Sequence, residues 1–299
     1  MIEALRNRAG GRVALLIGNG IQMYPNGGQS WNGLVERLAK ENGFPSPEKA
    51  RNLALPELYD LIDVVRPGKR GPLETSEAFP LKAQFCKGME SWKPRAHHHA
   101  IVHWAKRNDT PIMTTNFDEV LKVAAEADRF SLFQPRGGRK GQTDYYPWEK
   151  YYGRRPLDGP CDGFGIWHIN GFISHMRSIR LGLSDYMGCV TRCRPWILGA
   201  DASPDWAGRD TWLDILFRMP FVMFGLGLEA QEVWLRWLLI QRAKHYKKHG
   251  GERPPAWYVH TAKECSDAQR EKHFFLNCLG IETVEVSDYP DIYDPGLWS

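Results

Sequence analysis

Residues 12–21 read RVALLIGNGI: five apolar side chains in a row, 13–17, closed by Gly18-Asn19-Gly20. An apolar run without alternation is the mark of a strand buried on both faces, as in a parallel sheet covered by helices. The pattern recurs downstream. TPIMTT (110–115) runs into Asn116-Phe117-Asp118, GIWHI (165–169) into Asn170-Gly171, and PFVMF (220–224) into Gly225-Leu226-Gly227. Residues 256–260 and 282–286 read as two further strands. Between them lie helical stretches: one opened by Ser30 as N-cap and stopped by Gly43, EVLKVAAEA (119–127), an apolar helix over 229–247, and one through Phe274 and Phe275. Strand–helix alternation with buried strands predicts a doubly wound α/β sheet. Residues 46–108 read as largely helical, with breaks at 67–72 and at Pro94, and predict a helical module inserted between the first two strands. Residues 130–163, rich in Gly, Pro, Arg and Tyr and without periodicity, read as a long loop.

The 299 residues suit a single α/β domain over 1–299. A composition of 42% hydrophobic and 25% charged residues is that of a globular protein and excludes a disordered chain. No stretch approaches 18 uncharged apolar residues, so no membrane helix is expected. The opening MIEALRNRAGGR lacks the apolar segment of a secretory signal and predicts a cytoplasmic protein. A net charge of +4 is too small for a nucleic-acid footprint, and direct nucleic-acid binding is not expected. Six cysteines without a CxxC pair predict a reduced protein, and Cys189 with Cys193 makes a poor zinc site. His99 and His103 have the spacing of a helical metal pair, but no HExxH is present. The run 97–99 reads as a solvated helix face and no metal is expected. Twelve tryptophans are many. Those at 196, 206 and 212, the aromatics of 145–152 and the nearby Arg154 and Arg155 have no obvious face to bury them, which predicts a homo-oligomer or a stable hetero-complex.

Chemistry concentrates in the loops after the strands: GNG (18–20), TTNFD (114–118), WHING (167–171) and FGLG (224–227). Open α/β sheets bind ligands outside the carboxyl ends of their strands, so these loops point to one shared pocket. Gly18 and Gly20 suit backbone N–H groups approaching a pyrophosphate, although a Gly-x-Gly alone fits a tight turn equally well. His168 on its own fits a core histidine; beside the other loops it reads as a general base for a ribose hydroxyl. The Asn116 amide suits a ribose hydroxyl or a water, and the Asp118 carboxylate a carboxamide N–H₂. The structural alternative has Asn116 closing its strand and Asp118 opening the next helix.

In order and spacing, LLIGNGI (15–21), TTNFD, HING (168–171) and FGLGL (224–228) resemble the NAD-binding motifs of sirtuin-fold proteins. LGLSDY (181–186) is similar to an element of bacterial sirtuin-like NAD hydrolases. The resemblance runs through residues 12–240. It departs from the deacylases of that family in three ways: the four-cysteine zinc ribbon is missing, 21–31 read IQMYPNGGQSW in place of a GxPxFR segment, and the glycine after His168 is displaced by two. The resemblance implies a Rossmann-like sheet without a zinc ribbon and an enzyme that takes NAD⁺ as substrate, releasing nicotinamide and ADP-ribose. It further implies the effector of a bacterial antiphage defence system, acting with a partner protein that is a sensor, nuclease, ATPase or Argonaute-like subunit. Carried over residue by residue, Asn116 and His168 are catalytic. Gly18, Asn19, Gly20, Thr115, Asp118, Gly225 and Gly227 surround NAD⁺, with Asp118 on the nicotinamide side. A protein deacylase and a catalytically silent subunit sensing NAD⁺ or ADP-ribose are the alternative expectations.

Overall fold

The computed structural model describes residues 1–27, 30–45, 53–67, 80–132, 145–198, 206, 208–229, 232–262 and 267–299. The elements follow in chain order. The first half holds α1 (Ile2–Arg8), β1 (Ala14–Ile17), α2 (Gly20–Met23), α3 (Trp31–Glu41), α4 (Leu55–Val65), α5 (Pro80–Lys87), α6 (Ala96–Arg107), β2 (Ile112–Thr114) and α7 (Val120–Ala125). Then come β3 (Asp128–Ser131), β4 (Lys150–Gly153), β5 (Ile166–His168), α8 (Leu183–Leu198), α9 (Trp212–Arg218) and β6 (Phe221–Phe224). The last elements are α10 (Val233–His249), β7 (Ala256–Thr261), α11 (Asp267–Cys278), β8 (Glu282–Val286) and α12 (Pro290–Tyr293). No helix among the described residues is long and apolar enough to cross a membrane.

The eight strands among these residues form one sheet in the order β3-β4-β5-β2-β1-β6-β7-β8. All pairings from β5 to β8 are parallel; β3 and β4 add an antiparallel edge. The parallel strands, counted along the chain, therefore stand third, second, first, fourth, fifth, sixth, which is the order of dinucleotide-binding doubly wound sheets. The direction of strand addition reverses between β1 and β6.

Each parallel strand feeds both faces. Ala14 and Leu16 of β1 enter one core with Phe221 and Met223 of β6, while Leu15 and Ile17 enter the other with Val222 and Phe224. The first core is closed by α8, α9 and α10, the second by α1, α6 and α12. Burial on both sides is why these strands carry no polar alternation.

Of the expected helical insertion, residues 46–52 and 68–79 lie outside the described residues. Helices α3, α4 and α5 share a third core with Phe117, Val120, Ile179 and Leu181, whereas α6 packs on the sheet through Ile101, Val102 and Trp104. Ser30 caps α3, its Oγ accepting the Gly33 N–H at 3.1 Å. An ion pair between buried Lys82 and half-buried Asp185 fastens the helical module to α8. Lys82 Nζ donates to Asp185 Oδ1 at 3.0 Å and to the Ile179 carbonyl at 2.8 Å. Asp185 Oδ2 also accepts the Leu181 N–H at 3.1 Å, and Asp60 Oδ2 the Leu183 N–H at 3.0 Å.

Two expectations are corrected. The 130–163 stretch is not a plain loop: Ser131 ends β3, and β4 pairs with β3 and, at Tyr152, with β5. Residues 133–144 lie outside the described set. Nor are the aromatics homeless. Trp148, Trp206 and Trp212 are buried, and the Trp148 ring lies 5.3 Å from Trp196, 5.7 Å from Trp212 and 6.2 Å from Trp234. Trp148, Trp206 and Trp212 thus belong to the core, whereas Tyr145, Tyr146 and Trp196 are half-buried and Arg154 and Arg155 exposed.

Asp185→Ala removes a counter-charge from the buried Lys82 ammonium and is expected to cost about 3 kcal/mol of unfolding free energy. Lys82→Met is expected to cost less, because Asp185 is the more exposed partner (22% against 5%) and keeps its backbone donors. Urea unfolding of both variants at pH 7 measures the asymmetry; equal losses would contradict it.

Candidate functional site

β1 and β6 end level with each other, Ile17 opposite Phe224. Beyond that pair the two chains touch. The Gly18 N–H donates to the Phe224 carbonyl at 3.0 Å and the Gly20 N–H to the Gly225 carbonyl at 2.8 Å. A Cβ on Gly18 would stand 2.3 Å from the Gly225 oxygen, and Gly225 itself has φ +67°. Both positions thus demand glycine, for space at 18 and for backbone conformation at 225. The Gly18 and Gly20 amides themselves are committed to the β6 loop, so the opening these two glycines were expected to leave for a pyrophosphate is taken up by that loop. The helix behind them, α2, is a single turn.

Above the crossing opens a cavity of about 710 Å³, within the range of small-molecule sites. Asn19, Gly20, Thr115, Asn170, Gly225 and Gly227 line it from the strand ends. The helical module contributes Trp31, Tyr59 and Phe85, and the far side is closed by Glu232, Trp234, His260, Thr261 and Lys272.

Five of the residues expected around NAD⁺ (Asn19, Gly20, Thr115, Gly225, Gly227) are therefore in the wall. Gly18, Asn116, Asp118 and His168 are not. Asn116 is turned toward the β1 loop, its Nδ2 donating to the Gly18 carbonyl at 3.3 Å. His168 lies behind it. Nδ1 is 2.7 Å from the Asn116 carbonyl, so this nitrogen carries the proton and donates. The ring sits between Tyr152 and Phe172, each centroid 5.7 Å away. Burial pushes its pKa down to about 4, which leaves the imidazole neutral at pH 7. Asp118 opens α7: Oδ1 accepts the Val120 N–H at 3.0 Å and the Gln22 amide at 2.9 Å. Burial pushes that carboxyl up to about 6.

Sequence reasoning passed over four wall residues. Asn170 is buried; its Nδ2 donates to the Thr115 carbonyl at 3.3 Å, and its Oδ1 has no hydrogen-bond partner among the described residues. Trp31 stacks on Phe117 with centroids 4.8 Å apart. Glu232 Oε2 accepts the Glu229 N–H at 3.1 Å, and burial pushes its carboxyl up to about 7. Lys272, also buried, stands 3.5 Å from Glu229. The available signal was position: Asn170 directly precedes the glycine of its loop, and Glu232 follows the FGLGL loop by four residues.

The histidine run is also corrected. His97 and His98 are buried, His97 Nε2 against the Ile21 carbonyl at 2.8 Å and His98 Nδ1 accepting the Arg95 N–H at 3.0 Å. His99 and His103 are exposed, and no cluster of three or more metal-ligating side chains occurs among the described residues. Cys189 and Cys193 are buried, uncrosslinked core residues. A scan against protein-family models finds no match to this chain, and a search of curated proteins finds none either.

Gly18→Ala is expected to cost about 1–3 kcal/mol, because the added methyl meets the Gly225 backbone oxygen, which cannot swing aside, as well as the Leu226 Cδ2; denaturant melts check this. Glu232→Gln tests the buried carboxyl through pH. In the folded protein Glu232 keeps its proton up to about pH 7, while the unfolded chain releases it near the ordinary 4.5. The folded state thus binds more protons across that window, and this group's contribution to stability falls as pH rises through it. The stability of the variant relative to the parent is expected to grow from pH 4.5 to 7 and then level off. A difference independent of pH would rule the shifted carboxyl out.

Proposed function

We propose that the chain binds NAD⁺ at the switch point of its sheet and hydrolyses the bond between nicotinamide and ribose. One observation carries the reading: the cavity lies where the strand order reverses, between β1 and β6, where doubly wound sheets hold dinucleotides. The likeness of the GNG, TTNFD, HING and FGLGL segments, taken in order, to sirtuin-fold proteins supports the same substrate.

The reaction converts NAD⁺ and water to nicotinamide, ADP-ribose and a proton. The C1′–N bond breaks with its electron pair on the nicotinamide nitrogen, and water adds to the oxocarbenium carbon. The wall suits this by offering aromatic rings (Trp31, Phe85, Phe117) that keep bulk water out and, at the strand ends, the acceptor oxygens of Thr115 and Asn170. In this reading the neutral His168 holds the Asn116 backbone through Nδ1–H and stands behind the wall. As a defence effector the chain would work with a partner protein.

A second reading, a subunit that binds NAD⁺ or ADP-ribose without turnover, is favoured by one fact: neither Asn116 nor His168 lines the cavity. Incubating the purified chain with NAD⁺, alone and with the product of a neighbouring gene, and quantifying nicotinamide separates the two. Equal amounts of nicotinamide and ADP-ribose are expected. Calorimetric binding without nicotinamide release would favour the sensor, and release that requires an acyl-lysine peptide would indicate a deacylase. No binding and no release would overturn all three.

A further inference from the structure

The end of β5 carries His168 and the loop after it Asn170, and only the second lines the cavity. Its amide is oriented unambiguously. The nearest partner is the Thr115 carbonyl, which only accepts, so Nδ2 must face it and Oδ1 must face away. Asn170 is 6% exposed, and its Oδ1 is buried with no hydrogen-bond partner among the described residues. An amide oxygen withdrawn from water in this way is one that a ligand donor completes. His168 Nε2 is likewise buried without a partner among the described residues, but His168 does not line the cavity: its Nδ1–H is bonded to the Asn116 carbonyl and its ring is boxed by Tyr152 and Phe172.

Three more wall residues carry a buried polar atom without a partner among the described residues: Trp31 Nε1, Trp234 Nε1 and Thr261 Oγ1. The indoles only donate, the amide oxygen only accepts, and none is charged. A ligand hydroxyl both donates and accepts, so a sugar meets such a mixed, uncharged set better than an ionic group does. Resting on the nucleotide reading above, we propose that Asn170 is the ligand-binding residue of the β5 loop, its Oδ1 accepting a hydrogen bond from a hydroxyl of a ribosyl group.

Calorimetry with ADP-ribose on the parent, Asn170→Leu and Asn170→Ala tests this. Leucine keeps the volume and removes the acceptor; if it disturbs folding, as judged by melting, the alanine variant carries the measurement. Binding is expected to weaken about ten-fold in the variants, as loss of one ligand hydrogen bond does. One member of a set of ADP-ribose analogues, each lacking a single ribose hydroxyl, is expected to bind parent and variant equally. Variants that bind ADP-ribose as tightly as the parent, or a loss that persists against every deoxy analogue, would overturn the assignment and leave the nucleotide reading standing. A parent that binds neither NAD⁺ nor ADP-ribose overturns that reading, and the assignment with it.

Discussion

The contact of the β1 and β6 loops, glycine against glycine, is the constraint from which the rest of the site takes its shape. Because the two strands run parallel and end level, their outgoing chains compete for the same space above the sheet. Gly18 and Gly225 let them pass at backbone contact, and two hydrogen bonds hold the crossing. The C-terminal α12 is seated on it: a Cβ on Gly225 would stand 2.8 Å from the Tyr293 hydroxyl. Segments more than 200 residues apart thus fix one floor. The glycines that in a generic dinucleotide fold leave room for phosphate here leave room for each other.

The parallel core was legible because burial on both faces writes itself into consecutive residues. Val13–Leu15–Ile17 and Ala14–Leu16 belong to opposite layers, so the run has no polar break. The antiparallel edge was not. β3 is exposed at Asp128, Arg129 and Ser131, and β4 signals itself only through Tyr151 and Tyr152, one side chain for each core. Two residues are too short a pattern to read as a strand. The tryptophans failed for a related reason. Trp148 and Trp212 pack around Trp234 from α10, and Trp206 packs on Phe217 of α9; for Trp148 the partner lies far along the chain, and local spacing carries no trace of it.

At the site, the sequence located the loops but misjudged which side chain of the β5 loop faces the cavity. Imidazole is the more reactive group, so chemical rank pointed to His168. Backbone geometry decides otherwise. His168 is the last residue of β5 and still obeys the sheet, its ring held on one face by Tyr152 and Phe172. Asn170 comes after the strand has ended and turns over its edge. At a strand mouth, position relative to the last paired residue outweighs the reactivity of the side chain.

The same burial gives the site its electrostatic character. His98 and His168 are driven toward the neutral form, and Asp118 and Glu232 are driven toward theirs, with pKa values of about 6 and about 7. Of these groups Glu232 alone lines the cavity, and its raised carboxyl marks the back of it as poor surroundings for an unpaired charge; Lys272 there is paired with Glu229. On the NAD⁺ reading this has a direction. The nicotinamide ring arrives as a cation and leaves neutral while the positive charge passes to the ribosyl carbon, so surroundings that solvate the ring badly favour the leaving form only where the ribosyl side is the better solvated. On that reading the wall itself contributes the raised Glu232 carboxyl and the uncharged Asn170 amide, while Asp118 and His168 stand behind it.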